Sequence, residues 1–162
     1  MVVGNLAGGK LGELVLRRSA KDLPLFCGVT TFLGCLGTLG VVTLRGSIPL
    51  LSAAGFLAAF FAAMTGPNMR TMLLDVNPPE DRGPIFSIFN LTDSLGTGLG
   101  RWVAGMLSVA VGLSGALTIS ASFWVICGIV LVFTARIFPK DIGILNERMV
   151  QTAREMRGQS ST

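Results

Sequence analysis

The sequence predicts an all-α transmembrane protein, a helical bundle with four full membrane spans and part of a fifth at its N-terminal end. Three observations carry this. Of 162 residues, 51% are hydrophobic and only 14% are charged, where a soluble domain carries about 25% charge to keep its surface hydrated. The mean hydropathy is +0.68. Charge is also absent from long windows: 22 residues from Leu23 to Leu44, 24 from Gly46 to Met69, and 34 from Trp102 to Ala135. A helix crosses the hydrocarbon core with roughly 20 residues at about 1.5 Å each, so these windows alone supply at least three crossings.

Residues 1–9 are apolar but too short to cross and lack the basic start of a signal peptide. They read as the end of a span begun upstream. Residues 10–22 hold Lys10, Glu13, Arg17, Arg18 and Lys21 and read as a polar loop.

The first full span, about 23–44, is rich in Gly, Thr and Cys, with Pro24 in the first turn, where its missing N–H leaves no bond unmade. The spacing of Gly34, Gly37 and Gly40 gives it a smooth face. The turn "RGSIP" leads to a second span, about 48–74. Its last third, "GPNMRTMLLD", predicts a kink at Pro67 and an exit at Asp75.

The stretch "DVNPPEDRG" is a charged loop. Pro78 and Pro79 prevent the second span from running on, and Arg82 and Gly83 open the next, about 84–111. That third span contains Asp93 and Arg101, each costing about 2.5 to 3.5 kcal/mol at mid-membrane, so neither is expected to face lipid. A turn "GLSG" leads to a fourth span, about 117–138, which Pro139 and "KDIG" are expected to stop. In the tail, 139–162, Ile142, Leu145, Met149, Ala153 and Met156 recur at spacings of 3 and 4 and predict an amphipathic helix against the membrane surface or the protein body; a frayed tail is the alternative. The final "GQSST" reads as disordered.

Lys10, Arg17, Arg18, Lys21, Arg70, Arg82, Arg136, Lys140, Arg148, Arg154 and Arg157 flank one set of span ends, and Arg45 alone lies at the other. By the positive-inside rule the charged loops and C-terminus are cytoplasmic in a multi-pass integral membrane protein. The net charge of +4 then reflects topology and contact with the lipid bilayer rather than nucleic acid, since no basic run alternates with aromatics.

Chemistry is sparse. Histidine and tyrosine are absent, which removes the usual metal ligand and the commonest general base. Cys27, Cys35 and Cys127 lie inside apolar windows without metal-binding spacing and read as small buried hydrophobes. No nucleophile with a base and no phosphate-binding glycine loop is evident, so an enzyme is not expected, nor a cofactor or metal.

Two segments carry a resemblance. "GGKLGELVLRRS", residues 8–19, is similar to the short inter-helix signature of the major facilitator superfamily of secondary transporters, matched by Gly8, Gly9, Gly12, Glu13, Arg17 and Arg18, with Glu13 standing where aspartate is more common. "NPPEDRGPIFSIFNLTDSLGTGLGRWVAG", residues 77–105, resembles that family's P-x-x-x-R-G loop and the glycine-rich helix it opens, matched by Pro78, Arg82, Gly83, Gly96, Gly100 and Gly105. The resemblance implies that residues 1–9 end helix eight and that the four spans are helices nine to twelve of the C-terminal half; helices two to six of the N-terminal half show the same order. It further implies a partial chain of a secondary-active transporter working by alternating access on an unidentified small solute, completed by a missing N-terminal half or by self-association. Glu13 and Arg17 would then belong to a cytoplasmic latch, with Pro78, Arg82 and Gly83 as companion gating candidates. A small four-span scaffold or packing protein without a transport cycle is the alternative.

Candidate pathway residues are the polar ones inside spans. Asp93 is roughly three turns into its helix, near Asn90 and Thr92. A carboxylate at that depth suits a proton or cation site, because burial raises its pKa and a cationic neighbour lowers it; pairing with Arg70 or another buried donor is the structural alternative. Arg101, eight residues on, lies about 80° around an ideal helix from Asp93. Asn68 and Arg70 follow Pro67, where freed backbone groups beside polar side chains can build a midplane site, although Arg70 also has the reach to snorkel. Gly96 and Gly100, with Gly105 beyond, give a close-packing face.

Overall fold

The computed structural model describes residues 2–44 and 46–159. Arg45 and Ser160–Thr162 lie outside them, as do the side chains of Ala153 and Met156, so those parts of the turn, stripe and tail expectations fall outside the described residues. Every element among the described residues is helical: α1 (Val2–Arg18), α2 (Asp22–Thr43), α3 (Ile48–Asp75) and α4 (Arg82–Gln159).

α1 corrects the first boundary. The helix runs on through residues 10–18, where a loop was expected, and only residues 19–21 turn the chain into α2, held by Asp22 N–H donating to Ser19 O at 3.0 Å. The charges that suggested a loop sit on one exposed helix face, because Leu6, Lys10, Glu13 and Arg17 recur at spacings of 3 and 4, while Gly4, Gly8 and Gly12 line the buried opposite side.

α2 and α3 match the first two spans, and α3 continues helically through Pro67. α4 departs from the expectation of two spans and a separate tail. Its break is a single residue, Gly112, at φ 76° and ψ 162°, a backbone region open to glycine and costly for other residues. Gly112 divides α4 into a first arm, residues 82–111, and a second arm, residues 113–159. The second arm is not stopped by Pro139 but carries on through it. α2, α3 and α4 are long and apolar enough to cross a membrane.

The glycines reveal how the helices align. Gly37 lies against Ala58 and Gly40 against Ala54, so α2 and α3 run antiparallel; Gly28 meets Val132 and Gly34 meets Trp124, so α2 and the second arm also run antiparallel. Gly4 lies against Phe60 and Ala63, and Gly8 against Met64, so α1 runs parallel to α3. With no hydrophobic force between helices in lipid, small residues that let backbones approach are what hold such a bundle together. A cluster of buried side chains sits at the basic end: Leu23, Cys27, Met72, Leu131 and Phe138, with Leu16, Met69 and Ile142 packed against them. Leu145 is also buried, so the tail stripe folds onto the body through Ile142 and Leu145, whereas Met149 stays exposed.

Candidate functional site

The first arm is the unusual element. None of residues 82–111 is buried, and Asp93 and Arg101 are both exposed, with Asn90 partly covered. The one ion pair among the described residues is Glu13–Arg17 at 2.8 Å, so Asp93 pairs neither with Arg70 nor with Arg101. Beyond the local turns of their own helix, no atom of the described residues comes within 4 Å of a Cβ added at Gly96, Gly100 or Gly105, so the face they form meets no other helix among the described residues. Trp102 is exposed, while Trp124 is seated against Gly34.

The first arm is tethered at the basic end. The Arg70 guanidinium lies over the Phe86 ring, 5.9 Å from its centroid, a distance at which the ring quadrupole attracts the cation. Arg82 Nε donates to Asn77 O at 3.3 Å, and Asn77 Nδ2 caps α3 by donating to Leu73 O at 2.7 Å. The expected proline loop is there: Asp81 N–H donates to Pro78 O at 3.1 Å, and helix resumes at Arg82, with Gly83 open on its side-chain face. Asp75 Oδ2 is buried and has no hydrogen-bond partner among the described residues.

A groove of about 830 Å³ runs between this loop and the end of the second arm, lined among others by Pro78, Glu80, Asp81, Asp141, Leu145 and Arg148. Its walls mix three carboxylates and one guanidinium with apolar side chains. Among the described residues no group of three His, Cys, Asp or Glu could hold a metal ion.

Asn68 has a different setting. It is 2% exposed, and its Nδ2 donates to Gly8 O at 3.0 Å and to Met64 O at 2.8 Å. Both amide hydrogens are used, and its Oδ1 lies in the space a side chain at Gly12 would fill. In this structure Asn68 is a packing group between α1 and α3, not an open pathway group beside Pro67. Gly8 and Gly12 are buried by the same contact, while Gly9 is open on its side-chain face, and Glu13, Arg17 and Arg18 are exposed.

A polar cluster between α2 and α3 has no counterpart among the sequence candidates. Thr30 Oγ1 lies 3.1 Å from Thr65 Oγ1, and Thr31 Oγ1 lies 3.5 Å from it; Thr30 and Thr31 also donate back to Cys27 O at 3.0 and 2.8 Å. Threonines in apolar spans ordinarily satisfy themselves on their own helix in this way, so nothing in the sequence marks this trio as an inter-helix contact.

The geometry thus separates two regions. α1, α2, α3 and the second arm form a bundle in which Asn68 and the threonine trio find partners across helices, and the first arm carries Asp93 and Arg101 exposed and in no ion pair among the described residues. A family model described as Major Facilitator Superfamily matches residues 1–149. No curated protein and no solved structure matches the chain. The family match spans well over half of the sequence, and the chain belongs to that superfamily.

Proposed function

We propose that this chain, a member of the major facilitator superfamily, is part of the C-terminal six-helix half, from the end of helix eight through helix twelve, of a secondary transporter of small solutes. In this reading an opposing half, from an N-terminal portion or from a second copy, rocks against it about a central site, and the charged loop 75–83 and the basic ends are cytoplasmic. The observation that carries it is the first arm, residues 82–111, with Asp93 and Arg101 exposed and unpaired among the described residues. Charges at that depth are costly against lipid and belong beside a water-filled path or a partner.

Asp93 is the proton or cation carrier in this scheme, Arg101 the fixed cation of the same helix, and Asn90 a polar neighbour one turn from Asp93. Gly96, Gly100 and Gly105 give the arm a smooth face for the opposing half. Glu13 and Arg17, joined at 2.8 Å on the exposed side of α1, supply the latch at the cytoplasmic end. The experiment is a screen of the complete protein in liposomes, using sugars, amino acids and organic ions, with the interior pH followed by a dye. A solute that moves protons in the wild type, and not in Asp93→Asn, supports the reading. A tightly folded protein that moves none of them contradicts it.

A further inference from the structure

We infer that the solute is an organic acid, carried as its singly charged anion on Arg101 together with one proton on Asp93; this rests on the reading of the chain as a transporter. Asp93, Thr97 and Arg101 follow one another at intervals of four residues, about one helical turn each, and so share one side of the first arm. Gly96 and Gly100 lie beside that row. Beyond the local turns of their own helix, nothing comes within 4 Å of a Cβ added at either, so a shallow notch runs along the row. Leu91, Leu95, Trp102 and Met106 are all exposed and fall on the opposite side, about 160 to 220° from Asp93 at roughly 100° per residue. Lipid suits that apolar side, whereas a carboxylate and a guanidinium are costly against it. The row of Asp93, Thr97 and Arg101 therefore faces the water-filled path.

Thr97 stands at the middle of residues 82–111. With the arm centred in the bilayer, each charge lies about 6 Å from the midplane and about 9 Å inside the nearer edge of a roughly 30 Å core. Helical side chains lean toward the N-terminus of their helix. For Arg101 that direction is toward Thr97 and the midplane, so the guanidinium does not reach the nearer edge by snorkelling. The other charged groups of the arm are Asp93 and, at its start, Arg82, and Arg101 is in no ion pair among the described residues.

Charge balance then selects the solute. The empty site is neutral overall, with Asp93 as the carboxylate and Arg101 as the guanidinium. Loading one proton onto Asp93 and one monoanion onto Arg101 leaves it neutral again. The proton comes from water on one side and leaves to water on the other, and the anion keeps all its bonds. A neutral solute with a proton leaves one net positive charge at mid-membrane, and so does a cation bound to Asp93 in place of the proton. A net charge at that depth is what the bilayer penalises. An acid of the opposing half fixed to Arg101 would likewise leave the charge of Asp93 unbalanced in the empty site.

The test uses the complete protein in liposomes with the exposed Cys127 replaced by alanine, Cys27 and Cys35 being buried. Thr97→Cys is treated with two thiol reagents of similar size, the anionic sulfonatoethyl and the cationic trimethylammonioethyl methanethiosulfonate, each rate taken relative to a free thiol in water. In an Asp93→Asn background the anionic reagent should react several-fold faster, benzoate should slow it, and Arg101→Gln should abolish the preference, since a fixed charge steers ions of opposite sign. Ala104→Cys, on the same side, serves where Thr97→Cys does not fold, and Leu95→Cys, on the lipid side, should react with neither reagent. With Thr97 and Arg101 intact, uptake of radiolabelled benzoate or lactate should follow an inward proton gradient, ignore an imposed membrane potential and be lost in Arg101→Gln. Equal labelling by both reagents with and without Arg101 overturns the inference. So does uptake of a sugar or an organic cation, in place of these acids, coupled to protons through Asp93; that result leaves the transporter reading standing, whereas no Asp93-dependent uptake of any solute fails both.

Discussion

The side-chain amide of Asn68 donates to the backbone carbonyl of Gly8 across 3.0 Å, so α1 and α3 meet backbone to backbone with a single polar side chain fastening them. This contact makes two glycines, adjacent in sequence, differ sharply. Gly8→Val places a side chain into Met64 backbone atoms 2.6 Å away and is expected to destabilise the fold by about 1 to 3 kcal/mol or more. Gly9→Val, with nothing within 4 Å, is expected to leave stability unchanged. Thermal unfolding of the two variants in the same detergent checks the pair.

The hydroxyl trio between α2 and α3 gives a second expectation. Thr65→Val removes the acceptor and donor shared by Thr30 and Thr31, at a cost of about 0.6 kcal/mol and at most about 1.7. Thr30→Ala should cost a similar amount, and the double variant less than the sum, because both remove one contact. Denaturant titration of the two single variants and the double variant reads the coupling.

At the start of the first arm, Arg70 over Phe86 should contribute about 0.5 to 1 kcal/mol. Phe86→Leu is expected to lose that coupling only while Arg70 is present, and Arg70→Gln only while Phe86 is present. A double-variant cycle on stability isolates it.

The tail is held by Leu145 and not by its outward neighbours. Leu145→Ala opens a contact that is now buried, and the segment carrying Arg148 and Arg154 should then be cut by trypsin several-fold faster. Ile144→Ala, at an exposed position, should leave the cleavage rate unchanged. Timed limited proteolysis separates them.

Much of this was legible in the sequence for a simple reason. Charge-free windows longer than 20 residues have few solutions other than membrane helices, and paired prolines beside Asp81 and Arg82 can only end one helix and begin another. The signature residues at 8–18 led to the right family but the wrong local structure: their charges suggested a loop, whereas their spacing of 3 and 4, with glycines at 4, 8 and 12 opposite, is that of a helix. Asn68 next to Pro67 suggested an opened backbone, yet it is consumed by a neighbouring helix, a partner no local pattern reveals. Thr30, Thr31 and Thr65 look like filler because threonines in spans satisfy themselves. Pro139 looked like a stop because helices usually end before proline, but the contacts of Phe138, Ile142 and Leu145 with the body accompany a helix that runs on through it. Asp93 and Arg101 stand out from sequence alone as charges inside an apolar span, and both lie exposed and in no ion pair among the described residues.

In the proposed function the first arm brings an ionisable carboxylate, Asp93, to the transport path. The most direct test is the pH dependence of solute uptake by the complete protein in liposomes, wild type against Asp93→Asn. Uptake is expected to rise with an inward proton gradient in the wild type and to have lost that dependence in the variant. Uptake with an unaltered pH dependence in Asp93→Asn would contradict it.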